Sequence, residues 1–262
     1  MSGSEALRRN LDELRKKCRE WYVNGIRVAV ERRVVAPRQT KEMSKQVNDS
    51  VMLEKAKVVV LVAHPDDETL WAGGTLLMHG GWTTFVGTLC RAGDEDRASK
   101  FVRVLDRLGA KGNMADMDDG PSQVPLGTEQ VRATLRSLVP NEHFDLIMTH
   151  GPKGEYTRHL RHEEVSRSVL EMWACGEIQS QELWLFAYDD DAGRRLPLAE
   201  EKADVLVNLP DEVWAIKRRL LTEIYGFVPD SWEVRTTPRR EAYWRLVAPD
   251  DAWAWIERGR LR

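Results

Sequence analysis

Two clusters in this chain of 262 residues, one of histidine with aspartate and one of two histidines, have the residue types of a metal site. The first is His64-Pro65-Asp66-Asp67, directly after a hydrophobic run. Histidine and aspartate are common zinc ligands, and of two adjacent carboxylates one can bind the metal while the other acts as a base. Pro65 stiffens the backbone between them. Because Pro-Asp-Asp is also common in ordinary turns, this cluster alone leaves a surface turn equally open.

The second cluster is His159-Leu160-Arg161-His162, after the run Phe144-Asp145-Leu146-Ile147-Met148-Thr149. Two histidines three residues apart on an opening helical turn face the same way. A third ligand from this segment would leave one coordination position for water, which is typical of a catalytic zinc site rather than a structural one. The two clusters together therefore predict a catalytic metal site.

Hydrophobic patterning predicts the elements that position both clusters. Residues 58–63 form a β-branched run typical of a strand buried on both faces of a parallel sheet. Helical and strand patterns then alternate as far as residue 188, which predicts an α/β fold. We expect a Rossmann-like, mostly parallel sheet with helices on both faces. Ligands of such sheets bind beyond the carboxyl ends of the strands, and both clusters follow strands there.

The regions outside this alternation are predicted in less detail. Residues 4–30 have the spacing of an amphipathic helix, and residues 32–49 read as a linker. We therefore divide the chain into an N-terminal helix and arm, residues 1–55, and a main domain, residues 56–262. Beyond Asp189 we expect an edge strand at 205–209 and a helix at 211–225, followed by a tail rich in Trp and Arg. The Trp residues of that tail are expected to serve mainly in packing.

Composition excludes several functional classes. A formal net charge of -3 provides no basic field for nucleic acid. No stretch approaches the roughly 20 apolar residues of a membrane helix, and the N-terminus lacks a signal peptide. Three distant cysteines, Cys18, Cys90 and Cys175, have no CxxC spacing, so we expect no disulfide framework and a cytoplasmic setting. The N-terminal helix could form a subunit contact in a homo-oligomer.

The segment Ala63-His64-Pro65-Asp66-Asp67-Glu68 after a buried strand, together with the downstream HxxH, resembles the PIG-L / LmbE-like metal-dependent deacetylases. The resemblance covers residues 57–188. It implies a zinc-dependent N-deacetylase that uses activated water to remove an acetyl group from a small N-acetylated molecule, such as an amino-sugar derivative. Another divalent metal, such as Fe²⁺, would serve the same chemistry.

The resemblance also implies roles for individual residues. It makes His64, Asp67 and His162 the metal ligands and Asp66 the general base. His159 would protonate the leaving amine or stabilise the tetrahedral intermediate. Three further positions match substrate-contacting regions of relatives: Arg97, Asp118 or Asp119 (preferably Asp119), and Tyr156.

One position departs from the family pattern. Many members have His-Pro-Asp-His, whereas Arg161 stands here in place of the acidic residue. If that acid orients a histidine, another carboxylate must do so, and Glu155, Glu163 and Glu164 are the candidates. Alternatively, Arg161 binds an anionic group of the substrate.

Two other functions stay open at this point. The same metal chemistry would serve an amidase that acts on a larger acylated amine or a thiol conjugate. A non-catalytic Rossmann-like binding domain is less favoured. Gly73-Gly74-Thr75 resembles a phosphate-binding loop, but these glycines fall inside a predicted helix and no GxGxxG pattern is present.

Overall fold

The computed structural model describes residues 54–156 and 159–259. The helix and arm predicted for the N-terminal region therefore lie outside the described residues, apart from its last two positions. The same holds for Cys18. The division of the chain into these two regions stays a prediction.

A seven-stranded sheet forms the centre of the described part, in the order β3-β2-β1-β4-β5-β9-β8. The strands from β3 to β5 are parallel, while β9 runs antiparallel to both β5 and β8. The strands of this sheet are β1 Lys57–Val62, β2 Thr83–Cys90, β3 Lys111–Met117, β4 His143–Thr149, β5 Gln179–Phe186, β8 Val205–Asn208 and β9 Arg240–Leu246. Two short strands, β6 Tyr188–Asp189 and β7 Leu198–Ala199, form a separate antiparallel pair.

Helices cover both faces of the sheet. The α-helices are α1 Asp67–Met78, α2 Glu95–Leu108, α3 Thr128–Leu138, α4 Leu160–Ala174, α5 Asp211–Arg219, α6 Trp232–Thr236 and α7 Ala252–Gly259. A π-helical turn, Leu220–Ile224, continues α5, and a 3₁₀ turn, Pro249–Asp251, precedes α7. One hydrophobic core contains residues of α1, α2 and the π-helical turn, and a second contains residues of α3, α4 and α7.

Strand β1 shows why the sheet is buried on both sides. Successive side chains of a strand point to opposite faces. Val58, Val60 and Val62 accordingly belong to the first core, while Val59 and Leu61 belong to the second. All five are fully buried. The continuous β-branched run is thus explained by two apolar faces, and the predicted α/β class is confirmed.

The strand order places a crevice next to β1. The chain passes from β1 to β2 and β3 on one side and returns to pair β4 on the other side of β1. This reversal separates the connections that leave the carboxyl ends of β1 and β4, and such a switch point is the usual ligand site of an open α/β sheet. Residues 64–67 follow β1 and residues 150–162 follow β4, so both predicted clusters lie at this crevice.

The C-terminal region contains an element that the pattern did not predict. The expected edge strand is present as β8, at the end of the sheet. The expected helix begins at Asp211 as predicted, but its last turn is π-helical. Between β5 and β8, however, lies β9, whose sequence REAYWRL lacks clean alternation. It carries Glu241, which is fully buried and forms an ion pair with Lys217. Because a charged residue occupies a buried position, the hydrophobic pattern of the sequence does not reveal this strand.

The two adjacent glycines lie within α1 rather than in a phosphate-binding loop. A Cβ on Gly74 would come within 2.4 Å of the Leu209 side chain, so this glycine allows the helix to pack closely against the segment after β8. Gly109 ends α2 with a left-handed φ of 65°, as the predicted helix stop requires.

Two further observations concern the cysteines and the helices of the described part. Cys90 is a buried free thiol, whereas Cys175 is disulfide-bonded. The expectation of unpaired cysteines is therefore wrong for Cys175, because wide spacing in sequence says nothing about proximity in the fold. Among the described residues, no helix combines the length and apolar composition needed to cross a bilayer.

Candidate metal centre

The loop between β1 and α1 is shaped by its own carboxylates. The backbone N–H of His64 donates to Oδ2 of Asp67 at 2.8 Å. Asp66 has a φ of 124°, a strained value for a residue with a side chain. Its N–H donates to Oε2 of the buried Glu68 at 3.0 Å, and Oε1 of Glu68 accepts from the hydroxyl of Tyr225. Glu68 therefore holds the strained turn, and Tyr225, at the end of the π-helical turn, supports Glu68.

The three predicted metal ligands converge on one point. Nδ1 of His64 lies 3.2 Å from Oδ2 of Asp67 and 3.3 Å from Nε2 of His162. Nε2 of His162 lies 3.4 Å from the same Asp67 oxygen. Ligands about 2.1 Å from a tetrahedral zinc ion are separated from one another by roughly 3.4 Å. The spacing and the chemistry of the donors thus fit a divalent metal without rearrangement.

The described residues contain other overlapping groups of potential ligands. Their ligand atoms lie within 4.8 Å of one another, and the groups are His64–His159–His162, His64–Cys90–Asp119 and Asp67–His150–His162. His150 is a weaker ligand than its position suggests. The backbone N–H of Ala63 donates to its Nε2 at 3.0 Å, so the lone pair that would face the metal is already engaged.

Glu155 is the carboxylate that orients the ligand His162. It is completely buried, and its Oε2 lies 2.6 Å from Nδ1 of His162 and 2.8 Å from Nδ1 of His150. Its Oε1 accepts from the N–H of Gly151. With Nδ1–H of His162 donating to Glu155, Nε2 presents a lone pair to the metal position. Sequence reasoning left three carboxylates open, and the contacts select Glu155.

Asp119 plays the corresponding part for His64. Its Oδ1 lies 3.2 Å from Nε2 of His64, while its Oδ2 accepts from the guanidinium of Arg91. A proton on Nε2 leaves Nδ1 of His64 free to bind a metal. Asp119 was predicted as a substrate contact, and that role stays a prediction. Its alternative, Asp118, instead contacts Arg161.

Asp66 lies beside the ligands without joining them. Its Oδ2 accepts from the guanidinium of Arg97 at 2.9 Å. Burial and the adjacent Asp67 carboxylate raise the pKa of Asp66 to about 8, although Arg97 opposes this shift. The Arg97 guanidinium also lies 4.9 Å from the ring centroid of Phe227. A carboxylate with a raised pKa, close to the metal position, has the properties of a general base.

His159 and Tyr156 border the same space. The ring of His159 stacks on that of His162, with centroids 4.4 Å apart. Burial, together with His162 and His64, lowers the pKa of His159 to about 3, so this ring is neutral. The ring of Tyr156 lies 5.7 Å from that of His159 and 5.3 Å from that of His162. Both rings therefore lie beside the ligand His162, and their predicted roles toward the substrate stay predictions.

These groups line a cleft of about 210 Å³ at the carboxyl edge of the sheet. Its walls include Arg91, Arg97, Asp119, Trp232 and Glu233, in addition to His64, Asp66, Asp67, Tyr156 and His159. Trp232 and Glu233 come from α6, in the tail that the sequence pattern left unassigned. His150, by contrast, directly follows the predicted strand that leads to the HxxH cluster, so its position at the carboxyl edge of the sheet could have been predicted from the sequence.

Arg161 lies away from this cleft. It is fully buried, and its guanidinium donates to the carbonyls of Asp118 and Val124 and to Oε2 of Glu164. Arg161 thus ties α4 to the loop before α3. The geometry argues against the alternative in which Arg161 binds the substrate, because its donors already serve this loop. The carboxylate of Glu164 already accepts hydrogen bonds from Arg161 and from the N–H of Leu126.

Replacing Arg161 with lysine tests this interpretation. Lysine has fewer hydrogen-bond donors than arginine, so buried acceptors would be left unpaired. We expect the free energy of unfolding to fall by about 3 kcal/mol. The kcat/KM of the folded, metal-loaded variant should match that of the parent chain. Chemical denaturation and steady-state kinetics measure the two quantities. An unchanged stability with a raised KM would instead place Arg161 at the substrate.

The chain is similar to several known proteins. The family model PIG-L, described as GlcNAc-PI de-N-acetylase, matches residues 59–173. Uncharacterized protein L374 of Acanthamoeba polyphaga mimivirus is 22% identical over 151 residues, which cover 52% of this chain and 64% of that protein. The match thus spans less than two thirds of that relative's length.

Two solved structures share the fold. N,N'-diacetylchitobiose deacetylase from Pyrococcus horikoshii superposes with a TM-score of 0.58 at 16% identity, covering 77% of this chain and 87% of that one. GalB, the 4-carboxy-2-hydroxymuconate hydratase of Pseudomonas putida KT2440, has a TM-score of 0.52 at 14% identity, with 73% and 96% covered. At these identities the likeness concerns the fold alone. The family match agrees with the motifs: the chain resembles the PIG-L / LmbE-like deacetylases, and its residues 59–173 match the PIG-L family model.

Proposed function

We propose that this protein is a metal-dependent hydrolase that removes an acetyl group from an N-acetylated amino sugar or a related small molecule. The observation that carries the proposal is the convergence of His64, Asp67 and His162 at 3.2–3.4 Å, with Asp66 beside them. The family match to GlcNAc-PI de-N-acetylase supports the reaction class. Zinc is the proposed metal, and Fe²⁺ would suit the same ligands.

Each residue of the metal centre has a separate role in the proposed amide hydrolysis. A divalent metal held by His64, Asp67 and His162 would polarise the amide carbonyl and acidify a water molecule. Asp66 would accept the proton of the attacking water, since its raised pKa suits a base working near neutral pH. Arg97 fixes the direction of the Asp66 carboxylate.

His159 has two conceivable roles, and its electrostatics favour one. A neutral imidazole can donate an N–H hydrogen bond to the developing oxyanion of the tetrahedral intermediate. Proton donation to the leaving amine requires a charged ring, which the low pKa of His159 disfavours. We therefore assign oxyanion stabilisation to His159, with Tyr156 as a second donor. The proton accepted by Asp66 is then available for the departing nitrogen.

The fold by itself does not choose this reaction, because a hydratase is among the similar structures. Hydrolysis is favoured over a non-catalytic binding domain because a base accompanies a complete set of ligands. An amidase acting on a larger acylated amine would use the same centre and differ only in its pocket. Release of amine from N-acetylglucosamine, measured beside release from longer N-acyl amides, separates these two.

Removal of the metal provides the direct test. Protein purified without chelators should contain close to one divalent metal per chain. A chelator should abolish amine release from N-acetylglucosamine derivatives, and added Zn²⁺ should restore it, because the metal would polarise the carbonyl and acidify the attacking water. Metal analysis and an amine assay on the same samples measure both effects.

A pair of histidine variants controls this experiment. His162→Ala should lose metal and activity together, whereas His143→Ala, at an exposed position on β4, should keep both. A chain that is free of metal yet fully active would refute the proposal. A cytoplasmic location and a homo-oligomeric state remain predictions of the sequence.

A further inference from the structure

The two oxygens of the Asp67 carboxylate have different partners. Oδ2 lies at the metal position, 3.2 Å from Nδ1 of His64 and 3.4 Å from Nε2 of His162. Oδ1 instead accepts a hydrogen bond from the indole N–H of Trp71 at 3.3 Å. Asp67 is only 4% exposed, so this carboxylate depends on protein partners rather than on solvent. The fold thus distinguishes the oxygen that faces the metal position from the one that does not.

The contact between Asp67 and Trp71 follows from their spacing at the start of α1. Residues four apart in a helix lie on the same face, and a long side chain points back toward the N-terminus of its helix. The indole of Trp71 therefore reaches the carboxylate one turn earlier. Trp71 is fully buried, and its N–H is a pure donor that requires an acceptor in such a place. Asp67 supplies that acceptor.

Aromatic neighbours hold the Trp71 ring in this orientation. The ring centroid of Tyr188 lies 4.8 Å from that of Trp71, and those of Tyr156 and Trp232 lie 6.3 Å and 6.4 Å away. Because protein interiors are close-packed, a ring enclosed in this way keeps one orientation. Turning the indole away from Asp67 would require these neighbouring rings to move.

The buried Glu241 anchors the backbone of the same helical turn. In a regular α-helix the N–H of Thr75 donates to the carbonyl of Trp71. Here Oε2 of Glu241 accepts from that N–H at 2.7 Å. The hydroxyl of Tyr188 donates to the Trp71 carbonyl at 3.1 Å. The ammonium of Lys217, 2.5 Å from Oε1 of Glu241, balances the buried charge. This ion pair therefore helps to fix the turn that carries Trp71.

The hydrogen bond on Oδ1 affects how Asp67 can bind a metal. A carboxylate binds a cation through one oxygen or through both. A catalytic zinc site has three protein ligands and leaves the next position to water or substrate. If both oxygens of Asp67 bound the metal, the second would take up that position. An indole N–H that engages Oδ1 opposes this mode of binding.

We propose that Trp71 is a positioning residue of the metal centre, whose indole N–H restricts Asp67 to binding through Oδ2 alone and so keeps a coordination position open for water. The inference rests on the proposed metal-dependent function and adds to it a residue that sets the ligand geometry. Trp71 acts through Asp67, because its ring is fully buried beneath the catalytic cleft rather than part of the cleft's wall.

Replacing Trp71 with phenylalanine removes the indole N–H and keeps an aromatic ring. We expect the dissociation constant for Zn²⁺, measured by competition with a chelator, to rise about tenfold, as for other groups that support a metal ligand. In the Co²⁺-loaded protein the visible absorption should weaken, because a second bond from Asp67 raises the coordination number and four-coordinate Co²⁺ absorbs most strongly. At saturating Zn²⁺ the kcat for amine release from N-acetylglucosamine should fall severalfold.

Trp173→Phe is the matched control for this variant. Trp173 is a buried tryptophan of α4, the helix that carries His162, but its indole N–H donates to the carbonyl of Ser180. Its replacement should lower stability while the Zn²⁺ dissociation constant and the Co²⁺ spectrum stay as in the parent chain. If Trp71→Phe does not fold, benzothienylalanine at position 71 tests the same bond, since it keeps the shape of tryptophan with sulfur in place of the N–H.

The outcomes separate this inference from the function on which it rests. A parent chain that binds neither Zn²⁺ nor Co²⁺ would contradict the proposed metal-dependent function. If the parent binds both metals and loss of the indole N–H changes neither the dissociation constant nor the Co²⁺ spectrum, the positioning role is overturned. Equal changes in Trp71→Phe and Trp173→Phe would overturn it as well, because they would indicate a general loosening of the fold. Changes confined to the Trp71 variant support it.

Discussion

Replacing Asp66 with alanine is expected to lower kcat for amine release by a factor of about 10² to 10⁴, while metal content stays at the level of the parent chain. The carboxylate borders the metal position but donates no ligand atom to the convergent trio, so its loss should not release the metal. Its partner Arg97 holds it beside that position at 2.9 Å. The expected defect is therefore purely catalytic.

The measurement is steady-state amine release together with metal analysis of the same preparation. Asp230→Ala serves as the control, because Asp230 is an exposed aspartate outside the cleft and should behave like the parent. Retention of full activity by Asp66→Ala would remove the assigned base. Loss of metal together with activity would instead make Asp66 a ligand.

The first half of this centre is predictable because it is local. Residues 64–67 directly follow a strand whose continuous β-branched run predicts burial on both faces. The sequence therefore places them at the carboxyl edge of the sheet. The HxxH cluster is predictable for the same reason after β4. Their approach to 3.2–3.4 Å follows from the pairing of β1 with β4, which joins residues far apart in sequence.

The residues that support the metal centre are far from it in sequence, so their contacts could not be predicted from the sequence. The strained Asp66 is held by Glu68, and Glu68 by Tyr225, which is 157 residues away. No periodicity marks such a contact. The wall formed by Trp232 and Glu233 likewise depends on α6, a helix of only five residues. A helix this short leaves too few residues for an amphipathic pattern.

Arg161 illustrates a different limit. A charged residue in a metal-site motif suggests a charged ligand, yet this guanidinium is fully buried and serves the loop before α3. The sequence shows that position 161 is charged, but it does not show which groups the side chain contacts. The disulfide at Cys175 is similar, since thiol proximity depends on packing that spacing does not report.

Replacing Glu155 with glutamine is expected to weaken metal binding by a factor of about 10 to 100, the usual effect of losing a carboxylate behind a ligating histidine. Three donors converge on this carboxylate: Nδ1–H of His162, Nδ1–H of His150 and the N–H of Gly151. An amide offers only one acceptor oxygen, so its NH₂ group must oppose at least one of these donors. His162 then loses either its orientation or its preferred tautomer.

Competition with a chelator of known affinity measures the metal dissociation constant of this variant. Activity should return as free Zn²⁺ is raised, because the ligands themselves are unchanged. Glu163→Gln is the matched control: Glu163 was an equal candidate from the sequence, but it borders a different cavity, which Arg167 also lines. An equal loss of affinity in both variants would argue for a general effect of charge. A loss confined to Glu155→Gln would mean that a glutamate seven residues before His162 does the work of the acid missing at position 161.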